Sequence, residues 1–293
     1  MTDITRSEIS PEEAAEERSP PNLIRRLPSS PIAAIGIALI LVWAGLAALA
    51  PWLGLPSPNA QDYATIAHPQ PSAQHWLGVD PFGRDILSRI IWGARTVLTV
   101  APIAVIAAYL VGCSLGLVAG YYGHAVDAAI SRLSDVILSF PVIVLYVILI
   151  ANIGPSMLNI IVAVVLASAP GVARIVRGLV LELKSHDFMA AAQLRRESAV
   201  YIMVVEILPN CRGPLITDFC LRLGYTTITI GILGFLGLGL PPPDPDWGGM
   251  VQQATAMITV WPHMALVPCF AIVSLVLGFN LLADGLRELL LND

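Results

Sequence analysis

The chain has 293 residues, 56% of them hydrophobic and only 13% charged, against about 25% charged in an ordinary soluble domain. That balance excludes a typical water-soluble globule and points to an integral membrane protein. With 21 acidic residues against 16 basic ones, for a net charge of −5, no basic stripe is left to neutralise phosphates, so nucleic acid is not an expected partner.

Residues 1–30 carry six acids (Asp3, Glu8, Glu12, Glu13, Glu16, Glu17) and four arginines among proline and polar breakers, a composition that predicts a disordered tail. The apolar run 31–53 is too long for the core of a signal peptide, and Pro51 follows Ala48-Leu49-Ala50 where cleavage would fall, so this run reads as the first membrane span. A polar external segment, residues 54–94, leads to a second span over about 97–120. There Gly112, Gly116 and Gly120 recur every fourth residue and suit close helix approach in lipid. The third span is placed at 134–152 with Pro141 inside it, the fourth from Met157 to about Arg174, the fifth at 214–240 and the sixth at about 261–283. The expected architecture is all-α with six transmembrane helices. The four cysteines (Cys113, Cys211, Cys220, Cys269) lie scattered in apolar segments without ligand spacing, and read as small core residues rather than a zinc site or a disulfide framework.

Sidedness follows from the arginines. With the amino terminus in the cytoplasm, Arg6, Arg18, Arg25, Arg26, Arg132, Arg174, Arg177, Lys184, Arg195, Arg196, Arg212 and Arg287 fall inside, Arg84, Arg89 and Arg95 outside, and Arg222 within the fifth span. Both termini are therefore expected in the cytoplasm of a multi-pass protein, and Pro241–Trp247 outside, where its prolines suit a rigid connector. Asp218 and Arg222 stand four apart and can pair on one helix face. They are read as a structural pair near the cytoplasmic end of the fifth span, and Arg132 with Asp135 in the same way. Asp284, Arg287 and Glu288 read as a solvated helix end. The five histidines are mutually isolated in sequence, and Lys184 follows no phosphate-binding glycine loop, so neither a hydrolase site nor nucleotide hydrolysis is expected in this chain.

The stretch 187–210, DFMAAAQLRRESAVYIMVVEILPN, organises the rest. Its apolar run Val200–Leu208 is too short to cross a bilayer, for which about 20 residues are needed, and Pro209 is expected to stop it. It must bury an apolar face at the membrane surface instead.

These residues carry a resemblance. The stretch is similar to the Glu-Ala-Ala loop of permease subunits in bacterial binding-protein-dependent ABC importers, within the dipeptide, oligopeptide and nickel group. Ala191-Ala192 match the alanines and Leu208-Pro209-Asn210 the end of the motif. Three further stretches resemble the same subunits in the same order: His75–Asp80 with Gly83-Arg84-Asp85 and Leu87-Ser88-Arg89; Leu236–Gly239 with Pro242-Pro243 and Trp247-Gly248; and Asn280–Arg287. Together they cover residues 30–290 and most resemble the second permease of such systems. The chain departs from the motif at Ala190, where an acid is usual, at Arg196, where glycine permits a bend, and at Glu206, where histidine is common. Arginine at 196 is expected to straighten the loop or alter its exit angle.

The resemblance implies the type I ABC importer permease fold, with the tail 1–30, the first span 31–53, the external segment 54–94 and a five-helix core over 95–290. It also implies a bacterial inner membrane location. The loop 187–210 would be the cytoplasmic coupling helix, with Ala191, Ala192, Arg195, Arg196, Glu206, Leu208 and Pro209 engaging an ATPase and its apolar run anchored to spans four and five. Implied partners are a homologous second permease, two cytoplasmic ATPase subunits, an external soluble binding protein and membrane lipid. ATP and magnesium would belong to the ATPases, and this chain would hold no cofactor. The sequence names no substrate ligand. Two other classes stand beside this one: an ion-coupled secondary transporter or channel with Asp218 and Arg222 in its path, and a non-transporting membrane scaffold.

Overall fold

A computed structural model describes residues 30–291, and the tail expectation lies almost entirely outside them. Ten helices follow in chain order: α1 Pro31–Leu49, α2 Ile86–Tyr122, α3 His124–Leu138, α4 Val142–Ile153, α5 Met157–Leu183, α6 Asp187–Leu194, α7 Ala199–Asn210, α8 Arg212–Phe235, α9 Trp247–Ala254 and α10 His263–Leu291. Five of them (α1, α2, α5, α8, α10) are long and apolar enough to cross a membrane. The third span, expected over 134–152 with Pro141 inside it, is broken into two helices. α3 and α4 meet at an 84° bend around Ser139–Pro141, because Pro141 gives no N–H to the turn before it and its ring excludes the preceding carbonyl.

Polar side chains fix where the helices begin. Ser30, Asp85, Ser156, Ser198 and Asp246 cap α1, α2, α5, α7 and α9 by accepting from backbone N–H groups of the first turn. α2 is 37 residues long, about 55 Å at 1.5 Å per residue, and starts well before the expected 97. Its first turns carry Arg89 and Arg95, which a hydropathy reading leaves outside the helix.

Close packing replaces the hydrophobic drive inside the bilayer. A Cβ built on Gly112, Gly116 or Gly120 would come within 2.5–2.6 Å of Val172, Ala173 O and Val176, or Val180, so the three glycines of α2 form one seam against α5. α1 lies as closely on α10, where a Cβ at Gly36 would meet the Leu282 nitrogen at 2.6 Å. Ser30 Oγ donates to Glu288 Oε2 at 3.0 Å, and Gly213 at the start of α8 lies beside Leu290. Both ends of the described chain and the 187–210 stretch thus share one end of the bundle. Asp284, Arg287 and Glu288 are exposed there, as expected of a solvated helix end.

The opposite end is closed by the segment before α2 and by α9. Arg89, buried, donates to Pro58 O (2.9 Å), Asn59 Oδ1 (3.3 Å) and Pro243 O (3.4 Å), tying two loops to α2. Arg84 bonds Asp80 and Gln253 at 2.6 Å. Trp247, fully buried, donates Nε1–H to Ile90 O at 2.9 Å and packs edge-on against Trp43. Asp246 accepts from the N–H groups of Gly248 and Gly249 (3.1 and 3.3 Å), and its carboxylate lies where a Cβ on Gly234 or Gly239 would be.

Burial pushes the Asp246 carboxyl up to about 6. A folded-state pKa raised above the unfolded value of about 3.9 means that the protonated form favours folding. This contribution is present below about pH 4 and is lost as pH rises through 6, which costs on the order of 3 kcal/mol by linkage. In detergent, wild type is expected to lose thermal stability between pH 4 and 7 relative to Asp246→Asn. Parallel pH profiles for the two proteins would contradict this.

Candidate functional site

The stretch 187–210 folds as a helical hairpin at the end of the bundle that holds both described chain ends. α6 carries the alanine run. It closes with two bonds of a Schellman turn, Arg196 N–H to Gln193 O (2.9 Å) and Glu197 N–H to Ala192 O (3.3 Å), and Arg196 itself sits at φ 56°. The expectation of a straightened loop is thereby corrected. The bend that glycine would permit is present, with an arginine in the left-handed region at a cost of about 1–2 kcal/mol. Arg196→Gly is expected to raise the melting temperature in detergent by about 2–4 °C and to leave transport intact. A drop in transport at unchanged stability would mean that the arginine head, not the backbone turn, matters at this place.

α7 does not stop at Pro209. Its turn Ile202–Ile207 widens to π geometry, Leu208 N–H bonds Met203 O five residues back, and helix resumes through Cys211 into α8. Proline's missing N–H and the bulk of its ring against the carbonyl four residues earlier are accommodated by such a widened turn. Asn210 Nδ2 donates to Glu206 O at 2.6 Å, satisfying a carbonyl of this irregular turn.

The two arms are joined by charge. Arg195, capping α6, pairs with Glu206 of α7 at 2.6 Å and lies 3.6 Å from Glu197. Glu206 therefore answers an arginine across the hairpin. The pair is partly exposed, and contributes orientation more than stability.

Below the hairpin, Met189, Ala192, Ile202, Met203, Ile207 and Cys211 form one apolar cluster with Leu117 of α2, Val172, Val176 and Val180 of α5, and Leu215 of α8. The anchor is thus spans two and four with the start of five, rather than four and five alone. The sequence reading missed α2 because its end lies about 70 residues earlier in the chain, and no local pattern reports that neighbourhood. Of the expected contact residues, Ala192 is fully buried in the anchor and Leu208 is half-buried, while Ala191, Arg195, Arg196 and Pro209 are exposed. Leu194 (84% exposed) and Val200 (65%) stand uncovered beside them, as do Val204 and Val205. The site therefore has a buried apolar root and an apolar surface that stands exposed among the described residues.

α3 stiffens the same end. Arg177 of α5 pairs with Asp127 and Arg174 with Asp135, while Lys184 Nζ donates to Tyr121 O at 2.7 Å. The expected Arg132–Asp135 partnership is replaced by Arg174–Asp135. Asp218 and Arg222 do pair, at 2.6 Å, but lie seven and eleven residues into α8 rather than in its first turns. Tyr109 donates to Asp218, and Arg222 rests against Gly171 in the middle of α5. The pair is thus bonded to side chains within the bundle and is partly buried there. The four cysteines are free and buried or half-buried.

Residues 112–292 match the family described as "Binding-protein-dependent transport system inner membrane component". The chain belongs to that family. This inner membrane component is also 39% identical, over 91% of its length and 87% of the relative's, to a dipeptide transport system permease protein, DppC, of Alkalihalophilus pseudofirmus. It is 42% identical to a glutathione transport system permease protein, GsiD, of Pectobacterium atrosepticum over 75% and 73% of the two chains. To the protein of the same description from Escherichia coli O6:K15:H31 it is 40% identical over 91% and 87%. An inner membrane transport component is a multi-pass permease rather than an enzyme. Membership sets aside the ion-coupled and scaffold classes, and agrees with an Asp218–Arg222 pair that is already neutralised by its neighbours.

Proposed function

We propose that this chain is the permease subunit of an ATP-driven peptide importer, in which the hairpin 187–210 is gripped by a separate cytoplasmic ATPase. The observation that carries the reading is the form of the hairpin: α6 and α7 are rooted in α2 and α5 through Ala192, Met189 and Ile207, yet present Ala191, Leu194 and Val200 outward. A part rooted this way moves with the spans when its outer face is pulled. Closure of two ATPases on ATP then rocks α2, α5 and α8 between inward-open and outward-open states, and the bond chemistry stays with the ATPases and their magnesium. A homologous second permease completes the pathway, and a soluble binding protein delivers the solute at the end closed by α9. The density of arginines around the hairpin supports a cytoplasmic position for it and for both termini. Relatives named for dipeptide and glutathione transport favour peptides as the cargo.

The test is ATP-dependent uptake of radiolabelled di- and tripeptides by vesicles containing this chain with its partner subunits. Uptake that needs ATP and survives collapse of ion gradients is the expected result. Uptake driven by a proton or sodium gradient without ATP would overturn the reading.

A further inference from the structure

At the end away from the hairpin, a cavity of about 440 Å³ opens between the start of α2, the start of α5 and the loop 241–245. Its size falls within the ligand-binding range of about 300–1,000 Å³. Trp92, Arg95, Thr96 and Thr99 stand on one face of α2, at i, i+3, i+4 and i+7, and line it together with Ser156 and Asp244. The remaining lining is apolar.

The charges of this end divide into two groups. Asp62, Asp80, Arg84, Asp85, Arg89 and Asp246 are each engaged by a hydrogen bond or an ion pair. Among the described residues, Arg95 and Asp244 make no side-chain hydrogen bond or ion pair, and the Arg95 guanidinium only lies over the Trp92 ring, 5.7 Å from its centroid. The two unengaged charges, of opposite sign, line the same cavity. Arg89, which borders a neighbouring small cavity with Asp244, gives one guanidinium nitrogen, Nη1, to Pro58, Asn59 and Pro243, and its Nε lies 3.7 Å from Asp80.

We infer that this cavity is a receiving site for the two charged ends of a short peptide, with Arg95 taking the carboxylate and Asp244 the ammonium group. The inference rests on the peptide reading of the proposed function and names the residues that would discriminate its cargo. A guanidinium matches a carboxylate with paired donors. The first turn of α5, which lines the cavity through Met157, adds a favourable field for negative charge. The hydroxyls of Thr96, Thr99 and Ser156 suit peptide amides, and the Trp92 face suits an apolar side chain. One cation and one anion together select a zwitterion over a simple anion or cation, each of which would leave one of the two charges facing its like.

The experiment uses the purified whole transporter in detergent, without the binding protein, and measures equilibrium binding of labelled dialanine and trialanine against N-acetyl-dialanine and dialanine amide. Wild type is expected to bind the free peptides at least tenfold more tightly than either capped form. Arg95→Gln should erase the preference for a free carboxylate and keep the preference for a free amine, and Asp244→Asn should do the reverse. This crossed pattern distinguishes contact with the peptide from misfolding. Variants that keep both preferences, or that weaken all ligands equally, overturn the inference. So does a loss confined to stimulation of ATP hydrolysis by the binding protein, which would make the cavity a docking surface for that protein instead. Wild-type vesicles that take up peptide with ATP while the purified transporter binds none refute this site alone. Absence of ATP-dependent peptide uptake refutes the proposed function and this site with it.

Discussion

Replacing Ala191 by glutamate is expected to abolish capture of the ATPase while leaving a folded, inserted chain. Ala191 is exposed on α6, next to a buried Ala192, so a longer side chain there extends away from the buried root. In the proposed complex, however, the same position faces a groove, and a glutamate would be buried without a partner. Truncating or stranding a buried charge at an interface costs about 2–5 kcal/mol, so affinity should fall at least ~30-fold and ATP-dependent uptake with it. Ala192→Glu is the informative neighbour. Its side chain would enter the cluster with Val176 and Ile207, and the expected result is loss of the folded hairpin and a lower yield of protein. Copurification of the ATPase with each variant, alongside size-exclusion profiles of the permease, separates the two effects. Wild-type ATPase capture by Ala191→Glu would remove the docking surface from α6.

The second large effect is at the seam between α2 and α5. Gly116→Val should prevent stable folding, because its Cβ would sit 2.6 Å from both the Ala173 carbonyl and the Val176 Cβ, and neither can retreat without moving a helix. Overpacking typically costs about 1–3 kcal/mol, and a clash with both a backbone carbonyl and a Cβ of α5 falls at or beyond the top of that range. Gly178→Val on α5 serves as the control. Nothing lies within 4 Å of its added Cβ, and that variant should express as wild type. Equal yields for the two in detergent would show that the seam does not hold α2 on α5. The seam matters for function as well as for stability, since Leu117 and Val176 beside it form the root of the hairpin.

What could be read from the residues alone follows from which interactions are local. Hydropathy located the apolar spans because a helix in lipid must be apolar over about 20 residues, and the four-residue spacing of Gly112, Gly116 and Gly120 announced a close neighbour. It did not say which neighbour, since α5 lies some 50 residues onward. The start of α2 was placed too late because Arg89 and Arg95 look solvated in a hydropathy window. In the fold, Arg89 is buried with acceptors from residues 58, 59 and 243, and no reading of the local chain supplies those. Pro141 was read simply as lying inside the third span, where the structure bends by 84°, whereas Pro209 was read as a stop, where a widened turn carries the helix through. Proline thus fixes what the backbone cannot donate but leaves open whether the neighbours compensate.

At the candidate site, the alanines and the Leu208-Pro209-Asn210 ending were visible as a motif. The division of labour between Ala191, exposed, and Ala192, buried, was not. That division depends on the direction from which α2 and α5 approach α6. Arg196 carries the same lesson from the other side: its identity argued for a changed bend, and the backbone bonds of Arg196 and Glu197 to Gln193 and Ala192 keep the bend regardless. Two features of the outer end, the buried carboxylate of Asp246 and the unengaged pair Arg95 and Asp244, had no sequence signal, because each is defined by what does or does not lie around it in space.

The most direct test of the whole is the sidedness and occupancy of the hairpin. With a single reactive cysteine at position 191 in a background lacking Cys113, Cys211, Cys220 and Cys269, a membrane-impermeant maleimide should label inverted vesicles and not intact cells. Adding back the ATPase should then protect the cysteine. Labelling of intact cells from outside, or labelling in inverted vesicles that the ATPase leaves unchanged, would contradict a cytoplasmic handle gripped by a separate motor.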